Sequence, residues 1–192
     1  MEDILTEIPD HPIEGERVVL RQLDSRDCDA LYAVIDESRE FLAKRLPWPG
    51  ECNSSEDVFA RVDSWNMQAQ MANGACWGIF EKVDGGLRVA GCIVLGWVQW
   101  AHLSASVSYW LGEKFTGRGL ATEALRLVSR FAFTELGLHR LEVSASVSNV
   151  DSQNVAVRAG FTQEGVSRDF ERINGIFEDH VRFSRLASDP GF

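Results

Sequence analysis

One stretch limits the folds open to this chain more than any other: Ser108-Tyr-Trp-Leu-Gly-Glu-Lys-Phe-Thr-Gly-Arg-Gly-Leu-Ala-Thr-Glu-Ala124. It leaves a strand-like run and passes two glycines. It then enters a segment where Leu120, Ala121, Ala124, Leu125, Val128, Phe131 and Ala132 recur at three- and four-residue steps. That period predicts an amphipathic helix over 119–136. Strand, glycine loop and helix in succession point to a layered α/β arrangement, because the helix must bury its apolar stripe against another element. Gly117 and Gly119 have no Cβ, so backbone N–H groups can crowd together at the helix start. Free amides and the helix dipole there make an anion site suited to a pyrophosphate. The spacing is neither a Walker A sequence nor GxGxxG, so ATP and dinucleotides lose ground. On the glycines alone, a tight turn before an ordinary helix fits equally well.

The rest of the chain supplies the layers. A first strand reads at 17–22, followed by a helix with Asp24 or Ser25 as cap and Cys28, Leu31, Tyr32, Val34 and Ile35 on its apolar side. Phe41, Leu42 and Leu46 suggest another helical turn, stopped by Pro47-Trp48-Pro49. Ser54-x-x-Asp57 resembles a capping box opening a helix to about residue 72, closed by Asn73-Gly74. The period then shortens, and 75–82, 87–97 and 104–111 read as consecutive strands, the first two joined by Asp84-Gly85-Gly86. Beyond the long helix, 141–147 reads as a strand and 152–159 as a short helix. The runs 161–173 and 176–185 flank Asn174-Gly175, a strong hairpin signal. The order β-α-α-β-β-β-α-β-α-β-β predicts a mixed sheet with helices on its faces.

Composition narrows the function. With 192 residues, 45% of them apolar, the chain suits one domain spanning 1–192, with residues 1–15 expected as a flexible lead-in. No apolar run approaches the ~20 residues a membrane-spanning helix needs, so no membrane partner is expected. The start, Met1 to Asp10, is acidic and lacks the basic and apolar regions of a secretory signal, which makes cytoplasmic the expected compartment. Cys28, Cys52, Cys76 and Cys92 form no CxxC pair and read as small buried hydrophobes rather than metal ligands. His11, His102, His139 and His180 show no triad or ligand spacing, and none is assigned to catalysis. Trp77, Trp97 and Trp110 are expected to pack within or against the sheet. A net charge of −10 argues against a nucleic-acid partner and is compatible with a cationic substrate such as an amine.

Two motifs carry a family resemblance. Thr116-Gly-Arg-Gly-Leu-Ala121 resembles the R/Q-x-x-G-x-G/A loop with which GCN5-related N-acetyltransferases (GNAT) hold the pyrophosphate of coenzyme A. Asn149-Val-Asp-Ser-Gln-Asn-Val-Ala-Val-Arg-Ala-Gly-Phe161 is similar to the N-x-x-S-x-x-V-A-x-x-x-G-F signature of the branch containing the RimJ and RimL ribosomal-protein N-terminal acetyltransferases. Leu46-Pro-Trp48, Glu164-Gly165 and Asn174-Gly175 also fit that branch, so the likeness covers roughly 17–185. Thr116 departs from the usual Gln or Arg, and the loop thereby loses one long side chain.

The resemblance implies a GNAT fold: a mostly antiparallel central sheet of about seven strands, helices on both faces, and a splayed strand pair at the acyl-CoA site. It implies acetyl-CoA as donor, no metal, and backbone amides of Gly117, Arg118, Gly119, Leu120, Ala121 and Thr122 around the pyrophosphate, with Arg118 adding a cation. Tyr109, Trp110 and Leu111 would offer backbone to the pantetheine, and Asn149 would contact or order it. Ser152 would lie near the sulfur, Glu171 would act as general base, and Trp48 would line the acceptor groove. Plainer roles exist for each: Ser152 as a helix cap, Asn149 as a turn cap, Arg118 as a surface charge, Glu171 as a solvated hairpin residue with Asp169 or Glu178 in its place. The preferred acceptor is a protein N-terminal amine. A small-molecule amine, another donor such as succinyl-CoA, or a non-catalytic acyl-CoA sensor are the rivals. The final hairpin would offer an edge for a homodimer.

Overall fold

The structure is a computed structural model that describes residues 7–191. Its strands are β1 (Ile13–Glu14), β2 (Val18–Gln22), β3 (Ala75–Val83), β4 (Gly86–Gln99), β5 (Ser104–Leu111), β6 (Arg140–Ser146), β7 (Thr162–Ile173) and β8 (Ile176–Leu186). Its α-helices are α1 (Cys28–Glu37), α2 (Arg39–Ala43), α3 (Ser55–Gln70), α4 (Leu120–Thr134) and α5 (Val150–Arg158). All strands share one sheet in the order β1-β2-β3-β4-β5-β6-β8-β7. The eighth strand beyond the expected seven is β1, whose two residues are too few to carry a period.

Of the stretch 1–15, residues 1–6 lie outside the described residues. The remainder is docked rather than loose: Ile8 is buried, its N–H donates to the Ala69 carbonyl at 2.9 Å, and Ile13 pairs with Leu20. Two apolar side chains, Ile8 and Ile13, hold it to the core.

β3 is buried from Ala75 to Glu81, because helices cover the sheet on both sides. α1 and α3 pack together, α3 against β3 and α1 against β4, while α4 meets β1, β2, β3, β4 and β5. Trp77 of β3 meets Phe131 of α4 edge-on at 5.5 Å, and both are fully buried. Truncating such an aromatic to Ala costs about 3–5 kcal/mol. Ser54 and Asp57 form the predicted capping box of α3, and all four cysteines are buried and free.

Every strand pairing is antiparallel except β5 with β6, the pair joined through α4. That parallel pairing is confined to Ser104–Ser106 against Arg140–Glu142. From Val107 onward the two strands part, and the gap opens toward the start of α4. One tryptophan defies expectation. β4 loses register between Gly96 and Gln99, and Trp97 sits there at φ 53°, thrown outward with 84% of its surface exposed.

Candidate active site

A cavity of about 1710 Å³ runs from the N-terminus of α4, through the gap between β5 and β6, to the β7–β8 hairpin. At the first end, α4 begins on Gly119, which adopts φ 81° and offers no side-chain cap. A Cβ there would sit in the left-handed region and 2.9 Å from the Arg17 guanidinium, so both backbone and space call for glycine. The N–H groups of the first helical turn therefore face the cavity unfilled by any capping side chain. Thr122 adds a second feature that suits an anion: its Oγ1 is buried without a hydrogen-bond partner among the described residues. Acidity that would repel an anion is neutralised, since the Glu123 carboxylate accepts from the Arg17 N–H at 2.8 Å and pairs with its Nε at 3.3 Å. Gly117, at φ 71°, has open space where a Cβ would project. These donors fit a pyrophosphate.

Arg118 does not join them. Its guanidinium pairs with the buried Glu81 carboxylate, which also binds Arg88 at 2.7 Å. A buried carboxylate left without cations is costly, and that demand draws Arg118 away from the cavity. The Thr116 hydroxyl donates to the Glu113 carbonyl at 2.8 Å, closing the turn before the glycines.

In the gap itself, Tyr109 extends its phenol to within 2.9 Å of Ser152 Oγ. Burial pushes the Tyr109 pKa up to about 12, against a smaller opposing effect of the Ser152 hydrogen bond, so the phenol stays protonated at neutral pH. Ser152 is not the cap of α5. Asn149 takes that place, its side-chain oxygen accepting from the Ser152 N–H at 3.2 Å, and the helix starts two residues earlier than expected. Freed from capping, the Ser152 hydroxyl turns to Tyr109.

At the far end, Glu171 of β7 and Trp48, from the chain after α2, both line the cavity. The hairpin tip is tethered there, Asn174 Nδ2 donating to the Ala43 carbonyl at 2.9 Å. Trp48 meets Trp110 edge-on at 5.5 Å and carries the Arg61 guanidinium over its ring at 4.9 Å. A smaller apolar cavity of about 120 Å³ lies beside these rings, lined also by Leu31, Val58 and Trp65.

All the predicted site residues except Arg118 border the main cavity: Trp48, Tyr109, Trp110, Leu111, Thr116, Gly117, Gly119, Leu120, Ala121, Thr122, Asn149, Ser152 and Glu171. One neighbour had no sequence spacing to mark it. His180 of β8 is 5% exposed, borders the same cavity, and holds Nε2 at 3.4 Å from Glu171 Oε2. That contact is close enough for charge attraction but not aligned as a hydrogen bond, and neither ring nitrogen has such a partner among the described residues. The available signal was the Asn174-Gly175 turn. It pairs Ile173 with Ile176 and Glu171 with Glu178, which makes His180 the diagonal neighbour of Glu171.

Residues 17–162 match the family model described as an acetyltransferase (GNAT) domain. The chain is 33% identical over 174 residues to the Bacillus subtilis (strain 168) protein YdaF, covering 90% of this chain and 92% of that one. It is 26% identical to the ribosomal-protein-serine acetyltransferase of Escherichia coli (strain K12), over 90% of this chain and 94% of the relative. The crystal structure of the microcin C7 self-immunity acetyltransferase MccE, in complex with acetyl-CoA and AMP, superposes with a TM-score of 0.83 at 25% identity, over 90% of this chain and 93% of that one. A glycine-led helix start, a parted strand pair and a hydroxyl pair in one cavity meet those likenesses, and the chain belongs to the GNAT acetyltransferase family.

Proposed function

We propose that this acetyltransferase moves the acetyl group of acetyl-CoA onto the α-amine of a protein N-terminus, by direct attack in a ternary complex. The observation that carries the reading is the course of the cavity: anion donors at one end, parted strands in the middle, and a carboxylate at an open far end. The α4 amides, with those of Gly117 and Arg118 and the Thr122 hydroxyl, would bind the pyrophosphate. The free edge of β5 over Tyr109, Trp110 and Leu111 would pair with the pantetheine amides, and Asn149 would keep α5 at its side. The hydroxyls of Ser152 and Tyr109 would donate toward the sulfur as the C–S bond breaks.

The acceptor must attack as a free amine, so a group at the far end has to take its proton. An α-amine titrates near ~8 and a lysine near ~10.4, so an N-terminus gives up its proton more readily at neutral pH. Glu171 lies at the end where that proton would leave. The Escherichia coli relative named for a ribosomal-protein serine supports the same acceptor class.

A second reading has its own observation. The tryptophan-lined cavity of about 120 Å³ beside Trp48 and Trp110 would accept a flat ring, and MccE is complexed with AMP. That pairing favours a small amine bearing an aromatic group. A panel of peptides with free Ser or Ala N-termini, Nα-blocked lysine peptides and small amines decides between them. Mass spectrometry of acetylated products is expected to find turnover with free N-termini. Turnover confined to small amines would overturn the N-terminal reading.

A further inference from the structure

A buried imidazole with no hydrogen bond is an expensive thing to keep, at about 1–3 kcal/mol for an unsatisfied polar group. His180 is such a group, and it borders the cavity a short diagonal from Glu171. Strand alternation sets its surroundings. From β7, Phe170 lies against the ring at 4.9 Å, Glu171 approaches Nε2, and Ser167 is its direct cross-strand partner. From β6, Ser146 lies opposite. On β8 itself, Glu178 and Arg182 share its face, and Arg182 is occupied by Glu142 at 2.8 Å. Two carboxylates thus stand near the ring, and Arg182, the cation near it among the described residues, is already paired.

We infer that His180 is the final acceptor of the amine's proton, relayed to it by the Glu171 carboxylate, which then holds the imidazolium. The inference rests on the cavity being the acetyl-transfer site. As the amine nitrogen bonds to the thioester carbonyl carbon, its proton passes to the Glu171 carboxylate, which borders the cavity, and from there to Nε2 of His180, 3.4 Å behind it and itself closed to the cavity. The C–S electron pair leaves on sulfur, which takes a proton through the Tyr109–Ser152 hydroxyl pair, itself reprotonated from solvent. His180 then returns its proton to solvent as the amide leaves. Burial lowers the His180 pKa, outweighing the opposing pull of Glu171 and Glu178, while Arg182 adds to the lowering. The ring is therefore neutral, and able to accept a proton, throughout the range in which an α-amine begins to be free.

The test measures acetylation kinetics from about pH 5.5 to 9 for wild type, His180→Gln and His180→Ala, with whichever amine the wild type acetylates. His180→Gln is expected to lower kcat about 100-fold at neutral pH, with acetyl-CoA affinity within about twofold. The wild-type profile should lose activity as pH falls through a value below that of ordinary histidine, and the Gln variant should lack that limb. His180→Ala, which leaves space for a free base, should regain about tenfold in kcat when imidazole is added, a response no packing role would give. Variant rates within about threefold of wild type, an unchanged acid limb, or no imidazole rescue would each overturn the assignment to His180 while leaving acetyl transfer intact. A wild type inactive on every amine would instead overturn the reading of the cavity, and this inference with it.

Discussion

At the α4 end of the cavity the groups that face inward are mainly backbone amides, set by two glycines and one short turn, with the Thr122 hydroxyl beside them. At the hairpin end they are side chains, Glu171, His180 and Trp48, drawn from strands and a loop far apart in the chain. The first end is local: one continuous run from Ser108 to Ala124 makes it. The second depends on the β6–β8 and β7–β8 registers and on the tether from Asn174 to Ala43. A backbone site is hard to alter without strain and suits a constant ligand. A side-chain site changes with single substitutions, and suits the part of a reaction that varies among relatives.

The comparison breaks if damage at one end reaches the other. The largest expected effect is at the backbone end. Gly119→Val forces a β-branched residue to φ 81° and pushes Arg17 aside, so acetyl-CoA affinity measured by calorimetry should fall more than about 100-fold. At the side-chain end, Glu171→Gln should lower kcat by about 100-fold or somewhat less and leave acetyl-CoA binding within about twofold. Loss of binding in that variant would mean the ends are not separate. Ser152→Ala sits between them. It removes one hydroxyl, and a loss of about tenfold in kcat with normal acetyl-CoA affinity corresponds to one hydrogen bond made chiefly to the departing sulfur.

Legibility in the sequence follows the same division. The long helix, the capping box at Ser54 and Asp57 and the glycine start of α4 all stood out, because each depends on residues within one or two turns. Two features did not. The turn at Asn174-Gly175 fixed the outer register of the last hairpin, but the irregularity between Ser167 and Glu171, with Asp169 at φ 47°, decides which residues face the cavity beyond it. Trp97 was expected against the sheet, and a loss of register in β4 turned it out. Arg118 failed for another reason. Its sequence neighbours promised an anion, but a buried carboxylate 37 residues away claimed it first.

Thr122 offers the most direct test that the α4 end is an anion cradle. Its buried Oγ1 has no hydrogen-bond partner among the described residues, so Thr122→Val removes a polar group without breaking a bond in the free protein. The measurement is a calorimetric titration of acetyl-CoA into wild type and Thr122→Val, with melting temperature recorded for each. The account predicts an unchanged or higher melting temperature and an affinity weaker by about tenfold or more, the worth of a hydrogen bond to a charged phosphate. Equal affinity in the two proteins would contradict it.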